Sequence, residues 1–211
     1  MKKPEIILIG GGGHCKACID VVELEGRFDI AGIIDVQDKV GQKILGYSII
    51  GTDEDLEKLS NKYDHFIVTL GQIKSAAIRI GLFERLKRLG KTLPTIISPE
   101  SYVSKHALVG EGTIIMHKAV VNADANIGDH CIVNTKALIE HDALIGSYCH
   151  ISTNAVVNGN CVINNSTFIG SNSTINHGVI VGEKVVIGSG AIVLKNVESN
   201  SVYLGNPPKK K

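Results

Sequence analysis

The sequence predicts a molecule in two parts: a small α/β domain with a Rossmann-like parallel sheet over residues 1–96, then a parallel β-helix with a C-terminal tail over residues 97–211. Three observations predict this. Strand-like and helix-like runs alternate through the first part, the pattern of a parallel sheet with crossover helices. Four consecutive glycines, residues 10–13, separate the first strand from the first helix. From Ser101 the chain divides without a gap into sixteen hexads, and the third position of every one, from Val103 to Val193, is Val or Ile.

The α/β elements follow in order. Residues 5–9 (EIILI) are a short apolar run rich in β-branched side chains, a buried strand. Residues 15–25 carry Ala17, Cys18, Val21 and Val22 at helical spacing. Residues 30–34 form a second strand that ends at Asp35. Residues 53–60 read as a short helix capped by Thr52 or Asp53. Residues 65–70 are a third strand, and residues 74–89 an amphipathic helix stopped by Gly90. Pro94 and Pro99 bracket the junction between the two parts.

A period of six is neither helical nor a simple strand alternation. It is the repeat of a parallel β-helix, in which each hexad makes one short strand and a turn on one side of a triangular prism. Three hexads, 18 residues, close one coil. The third position points inward and stacks on its equivalents. The first position, always Ser, Ala, Thr, Cys or Val, also points inward, near a corner where only a small side chain fits. Cys131, Cys149 and Cys161 all fall there and read as small buried hydrophobes. Cys15 and Cys18 form C-x-x-C with no second such pair, so they read as helix residues rather than a zinc or redox site.

Composition excludes several classes. Formal net charge is +1 with acids and bases interspersed, unlike a nucleic-acid or membrane-surface protein. No run of 18 apolar residues exists, so no transmembrane helix is expected. The N-terminus enters a strand directly, without the apolar segment of a signal peptide, which predicts a cytoplasmic protein. Five cysteines are an odd number and fit thiols better than a disulfide framework.

Two stretches carry chemistry. Backbone N–H groups at a helix N-terminus bind phosphate, and glycines admit a ligand closely, so residues 10–13 with His14 point to a phosphate-bearing ligand. Asp35 ends the second strand where a dinucleotide fold places its ribose-binding acid. Cys15 breaks the G-x-G-x-x-G pattern and the domain is short for an NAD fold, so a nucleotide-sugar is the expected ligand. The second stretch is hexad 137–142, ALIEHD, followed by ALIGSY. Stacking by 18 puts Lys105, Ala123, His141, Gly159, His177 and Lys195 in one corner column. His141 and His177 are then about 10 Å apart, too far to share a metal, and no metal is expected. Gly159 above His141 predicts open space through which a substrate reaches the ring. A carboxylate on one imidazole nitrogen fixes the tautomer and makes the other nitrogen a better base; Glu140 and Asp142 both flank the ring. His150, at position two of a flat face, is expected to point toward a neighbouring surface. Most of the eight histidines are expected to be ordinary exposed turn residues.

Together, the Gly10–His14 loop (GGGGH), Ile139-Glu140-His141-Asp142, His150-Ile151-Ser152 and the ending Gly205-Asn206-Pro207-Pro208-Lys209 resemble the bacterial sugar acetyltransferases that modify sialic acids or the amino group of nucleotide-linked 4-amino sugars. The resemblance spans essentially the whole chain. It implies that the β-helix is left-handed and that the protein is an acetyl-CoA-dependent transferase, a homotrimer with active sites between neighbouring β-helices. It implies His141 as general base with Asp142, where relatives carry Glu, raising its basicity. It implies that Asn134 and His150 lie near the acetyl-CoA thioester, that Gly159, Ser171 and Ser189 line the CoA arm, and that Gly12, Gly13, His14, Asp35 and Gly71 hold the nucleotide-sugar. The expected reaction is N-acetylation of a nucleotide-linked 4-amino-4,6-dideoxy sugar; the alternative is O-acetylation of a sialic-acid-type sugar.

Overall fold

The structure, a computed structural model, describes residues 2–206 and 209–210. Two units emerge, one running up to Gly71 and including Ala77–Ile96, the other comprising Gln72–Ala76 and the chain from Ile97 onward.

The first unit contains β1 (Glu5–Ile9), α1 (Gly13–Glu25), β2 (Asp29–Ile34), β3 (Lys43–Ile44), β4 (Tyr47–Gly51), α2 (Leu56–Ser60), β5 (His65–Val68) and α3 (Ala77–Arg88). The sheet order is β3-β4-β2-β1-β5. All neighbours are parallel except β3 and β4. Ile6, Ile7, Leu8 and Ile9 of the central β1 are buried, as a strand inside a parallel sheet demands. The chain moves outward from β1 to β2 and β4, then returns to place β5 on the other side of β1. Strand order thus reverses at β1, the place where open α/β sheets form a ligand crevice.

Three details differ from expectation. The β3–β4 hairpin has no sequence signal, because its turn is Leu45-Gly46, with φ of 47° and 91°. Both central residues are left-handed, as a tight hairpin requires, but Leu lacks the Asn or Asp signature of such turns. Helix α3 begins at Ala77 rather than residue 74, since Gln72–Ala76 belongs to the other unit. Ala17 is exposed on α1; Cys15, Cys18, Ile19, Val21 and Val22 form its buried face.

The second unit is a left-handed parallel β-helix. Positions two and three of each hexad form a two-residue strand, from Tyr102–Val103 to Ile192–Val193. The strands stack into three parallel sheets at a spacing of 18, as in Val120 with Leu138 and Leu138 with Val156. Third-position Val and Ile side chains fill the core with the small first-position residues, including Cys131, Cys149 and Cys161, each 0% exposed. Position six is left-handed in fourteen of sixteen hexads, eleven non-glycine residues plus three glycines. A corner that turns so sharply needs a positive φ, which Asn, Asp and Gly adopt most readily. The N–H at position six then donates to the position-five carbonyl one coil earlier, as in Asp142 to Ala123 at 3.2 Å and Asn160 to His141 at 3.1 Å. Val202–Leu204 extends one sheet, and Lys209–Lys210 pairs antiparallel with it. Pro207 and Pro208 of the closing motif lie outside the described residues. No helix among the described residues is long and apolar enough to cross a membrane.

Candidate active site

In the first unit, four of the five residues expected at the nucleotide-sugar gather at the C-terminal ends of β1 and β5. Gly12 caps α1 without any side-chain hydrogen bond, and the helix's first turn holds no acidic residue. A Cβ on Gly12 or Gly13 would meet nothing within 4 Å, so the helix N-terminus is open to an anion. His14 lies beside Gly71, where an added Cβ would sit 3.8 Å from the His14 Cβ, and its Nε2 is 3.4 Å from Cys18 Sγ. Burial pushes both the Cys15 and Cys18 thiols up, Cys18 the more strongly, which keeps them protonated and inert.

Asp35 does something the sequence does not announce. Its Oδ2 accepts from the Gly11 N–H at 3.1 Å and from Lys39 Nζ at 2.8 Å, and its Oδ1 accepts from the Val36 N–H at 2.8 Å. Partial burial opposes ionisation, but the bonds from Lys39, Val36 and Gly11 outweigh it and hold the carboxyl below its usual range. Asp35 is thus a strut for the glycine loop. A cavity of about 580 Å³ opens beside it, lined among others by Gly10, Gln37, Thr52, Asp53, Leu70 and Ile78. Of this lining only Gly10 and Asp35 stand out in the sequence as ligand-binding residues, because Thr52, Leu70 and Ile78 come from three separate elements.

In the second unit, His141 stands on an exposed corner. Its Nδ1 lies 2.7 Å from Asp142 Oδ2. Asp142 has φ of 59°, and this left-handed turn brings its short side chain back beside the ring. Glu140 is occupied elsewhere: its Oε2 accepts from Asn122 Nδ2 at 2.8 Å and from the His141 N–H at 3.3 Å. Asp142, not Glu140, therefore orients the imidazole. The hydrogen bond to Asp142, followed by the negative charges of Asp142 and Glu140, raises the His141 pKa above its ordinary value despite slight desolvation. No hydrogen bond to His141 Nε2 is made among the described residues. The expected open space above the ring does not exist, because the imidazole itself lies over Gly159 and fills it.

The other expected residues fall elsewhere. His150 is 7% exposed, and the neighbouring surface it meets is a segment of its own chain. Its Nδ1 is 2.7 Å from the Gln72 carbonyl, its Nε2 is 3.2 Å from Asn134 Nδ2, and its ring meets Phe168 edge-on at 5.2 Å. The Gln72–Ala76 segment covers this face, and Gln72 Nε2 also donates to the Tyr148 carbonyl at 3.0 Å. Ser171 Oγ is 2.9 Å from Ser152 Oγ, and Ser189 is exposed. Ser171 and Ser189 share a column with His117, whereas Gly159 sits under His141 on a different corner. One prism thus carries the expected site residues as two separate groups. The histidines are less exposed than expected: only His106, His141 and His177 are exposed, and His130 is fully buried against Tyr148. Its buried setting reflects the packing of Tyr148 one coil on, which a hexad pattern does not encode. Among the described residues, no group of three or more His, Cys, Asp or Glu side chains is placed to hold a metal ion.

Both parts of the chain match known families. The PglD N-terminal domain family matches residues 5–86, and the bacterial transferase hexapeptide (six repeats) family matches residues 160–195. No curated protein sequence matches the chain. The acetyltransferase domain of PglB from Neisseria gonorrhoeae is 30% identical, with a TM-score of 0.92 over 99% of this chain and 100% of that one. PerB from Caulobacter crescentus, solved in complex with CoA and GDP-perosamine, is 29% identical, with a TM-score of 0.91 over 98% of this chain and 97% of that one. WeeI from Acinetobacter baumannii, 22% identical with a TM-score of 0.87 over 99% and 100% of the two chains, shares the fold. By its full-length likeness to the PglB domain and by both of its motif-bearing halves, the chain belongs to the bacterial hexapeptide-repeat sugar acetyltransferases.

Proposed function

We propose that the chain transfers acetyl from acetyl-CoA to the amino group of a nucleotide-linked 4-amino-4,6-dideoxy sugar, with His141 as general base. The observation that carries this is the 2.7 Å contact between His141 Nδ1 and Asp142, which leaves Nε2 available on an exposed corner. The likeness to PerB, solved with CoA and GDP-perosamine, supports both substrates.

The step is direct acyl transfer. The amine lone pair attacks the thioester carbonyl carbon and a C–N bond forms. Nε2 of His141 takes the amine proton, while Asp142 stabilises the imidazolium through Nδ1. The C–S bond breaks, and the departing thiolate takes the proton back from His141, leaving CoA as the free thiol. A general base contributes on the order of 10²–10⁴-fold. Holding two large substrates in line supplies much of the rest. Asn134, beside His150, is the candidate oxyanion donor.

Division of labour follows the two parts. Residues 1–96 take the nucleotide-sugar through Gly12, Gly13, His14, Asp35 and Gly71, and the cavity of about 580 Å³ next to Asp35 gives a base and ribose room. Residues 97–211 take acetyl-CoA through Asn134, His150, Gly159, Ser171 and Ser189. His141 and the Asn134–Ser171 group lie on different corners of one prism. A homotrimer that sets one copy's His141 corner against another copy's Asn134 corner unites them, and this supports the trimer. Acetyl-CoA and sugar nucleotides as substrates support a cytoplasmic location.

The test is thiol release from acetyl-CoA with a panel of UDP-, dTDP- and GDP-linked 4-amino sugars and of free and CMP-linked sialic acids, with His141→Ala alongside. Turnover of an amino sugar that the variant loses is the expected result. Turnover of sialic acids alone would move the acceptor to a hydroxyl, and turnover that survives His141→Ala would remove the base.

A further inference from the structure

Gly159 is buried at the corner directly beyond His141 in the same column. A Cβ built on it would stand 2.7 Å from Cε1, 2.9 Å from Nε2 and 3.2 Å from Nδ1 of His141. All three nearest atoms belong to the one imidazole. The Gly159 backbone is not left-handed, so its chain conformation suits any residue. Other corner glycines differ: a Cβ on Gly128 would meet the Ser147 backbone nitrogen at 2.7 Å, and one on Gly170 the Gly188 backbone carbon at 2.6 Å. Those glycines let backbones approach. Gly159 makes room for a side chain.

We propose that Gly159 is a positioning residue for His141: its bare backbone is the floor on which the imidazole lies, with Nδ1 on Asp142 and Nε2 held in one place. This rests on the reading of His141 as the base. Non-bonded carbons settle at about 3.5–4.0 Å, so a methyl group at residue 159 must move the ring by on the order of 1 Å. The ring is at the far end of an exposed, rotatable side chain, so it swings toward solvent at little cost to folding. The swing takes Nδ1 away from Asp142. A misplacement of about 1 Å at a reacting group costs on the order of 10²-fold in rate.

Gly159→Ala, His141→Ala and the double variant make the test, read by urea unfolding, by NMR titration of the His141 ring in the protein without substrates, and by kcat and KM for acetyl-CoA. The expected Gly159→Ala protein has an unchanged unfolding midpoint and a His141 titration displaced downward. Its kcat falls roughly 10–100-fold, beyond whatever rise in KM for acetyl-CoA the added methyl brings at this CoA-lining position. In the His141→Ala background the same change has no further effect on kcat, because the group it positions is gone. An undisturbed titration would overturn the proposal. So would a rise in KM alone, which would make Gly159 a CoA contact only, an additive loss in the double variant, or early unfolding, which would mean more than the ring stands in the way. If His141→Ala keeps full activity, the base assignment fails, and the titration alone still decides whether Gly159 sets the ring's place.

Discussion

The turn at residues 146–148 is tied to the coils on both sides. Ser147 Oγ accepts from the Asp129 N–H at 3.1 Å, and the Ser147 N–H donates to Asn165 Oδ1 at 2.9 Å. The Glu111 N–H continues the ladder to Asp129 Oδ1 at 2.9 Å. The turn at residues 140–142, one hexad earlier, has the same backbone, with φ of 59° at Asp142 against 62° at Tyr148. Glu140 ties it to Asn122 one coil earlier, but its fifth position has no such ladder, because the column neighbours there are Ala123 and Gly159, which offer no polar side chain. The first corner uses its fifth-position side chains to hold coils together. The second leaves its fifth-position ring bound through Nδ1 to Asp142, with no hydrogen bond to Nε2 among the described residues. A β-helix corner can hold its neighbours or present a group to solvent, and the neighbouring side chains in the column decide which.

The sharpest way to break the contrast is His141→Ala. The rate should fall on the order of 10²–10⁴-fold while the unfolding free energy in urea stays within about 0.5 kcal/mol, since an exposed side chain outside the ladder holds little of the fold. A marked loss of stability would mean that corner is structural after all. The opposite outcome is expected at the other corner. Gly128→Ala drives a methyl group against the Ser147 and Gly146 backbones, at 2.7 and 2.9 Å, and should destabilise by about 1–3 kcal/mol in urea while kcat per folded molecule is unchanged. An unaltered midpoint would show that the coils have slack there.

Asp142→Asn tests what holds the ring. Asp142 raises the His141 pKa; in the proposed role His141 works only when neutral, so the rate is expected to rise with pH through that pKa. Removing the charge lowers the pKa and moves the acid limb of the kcat profile to lower pH, while the plateau drops by on the order of tenfold, about the worth of one charge-assisted hydrogen bond. A limb that stays in place would mean Asp142 does not act on the ring. The smallest effect is expected from Ser147→Ala, which takes an acceptor from the Asp129 N–H. It should lose about 0.5–1.5 kcal/mol of stability with catalysis intact, and Ser147→Thr should restore most of it.

The β-helix is legible because its core is one-dimensional. Each hexad packs only on its equivalents 18 residues away, so the inward Val and Ile at position three and the small residues at position one are set by a local rule. Elements whose shape depends on distant packing are hidden. The Leu45-Gly46 hairpin carries no common turn signature, residues 72–76 look like the start of α3 but cover the His150 face, and His130 is buried by Tyr148. At the candidate site, the column rule puts Gly159 beside His141 but not the ring over the glycine, because a column assigns neighbours and not side-chain directions. The choice between Glu140 and Asp142 depends on Asn122, which engages Glu140 from one coil away.

Residue order alone sets the two-part architecture, the six-residue period, the inward and outward faces, and the departure at residues 140–142. Those are properties of periodicity, and a period needs no third dimension to be read. Three further facts exist only in the folded chain: Asp35 braces the glycine loop, Asp142 holds Nδ1 of His141, and the imidazole lies over Gly159. Each depends on the angle at which a side chain leaves a turn, and that angle is set by contacts from other coils and strands rather than by the residues adjoining it.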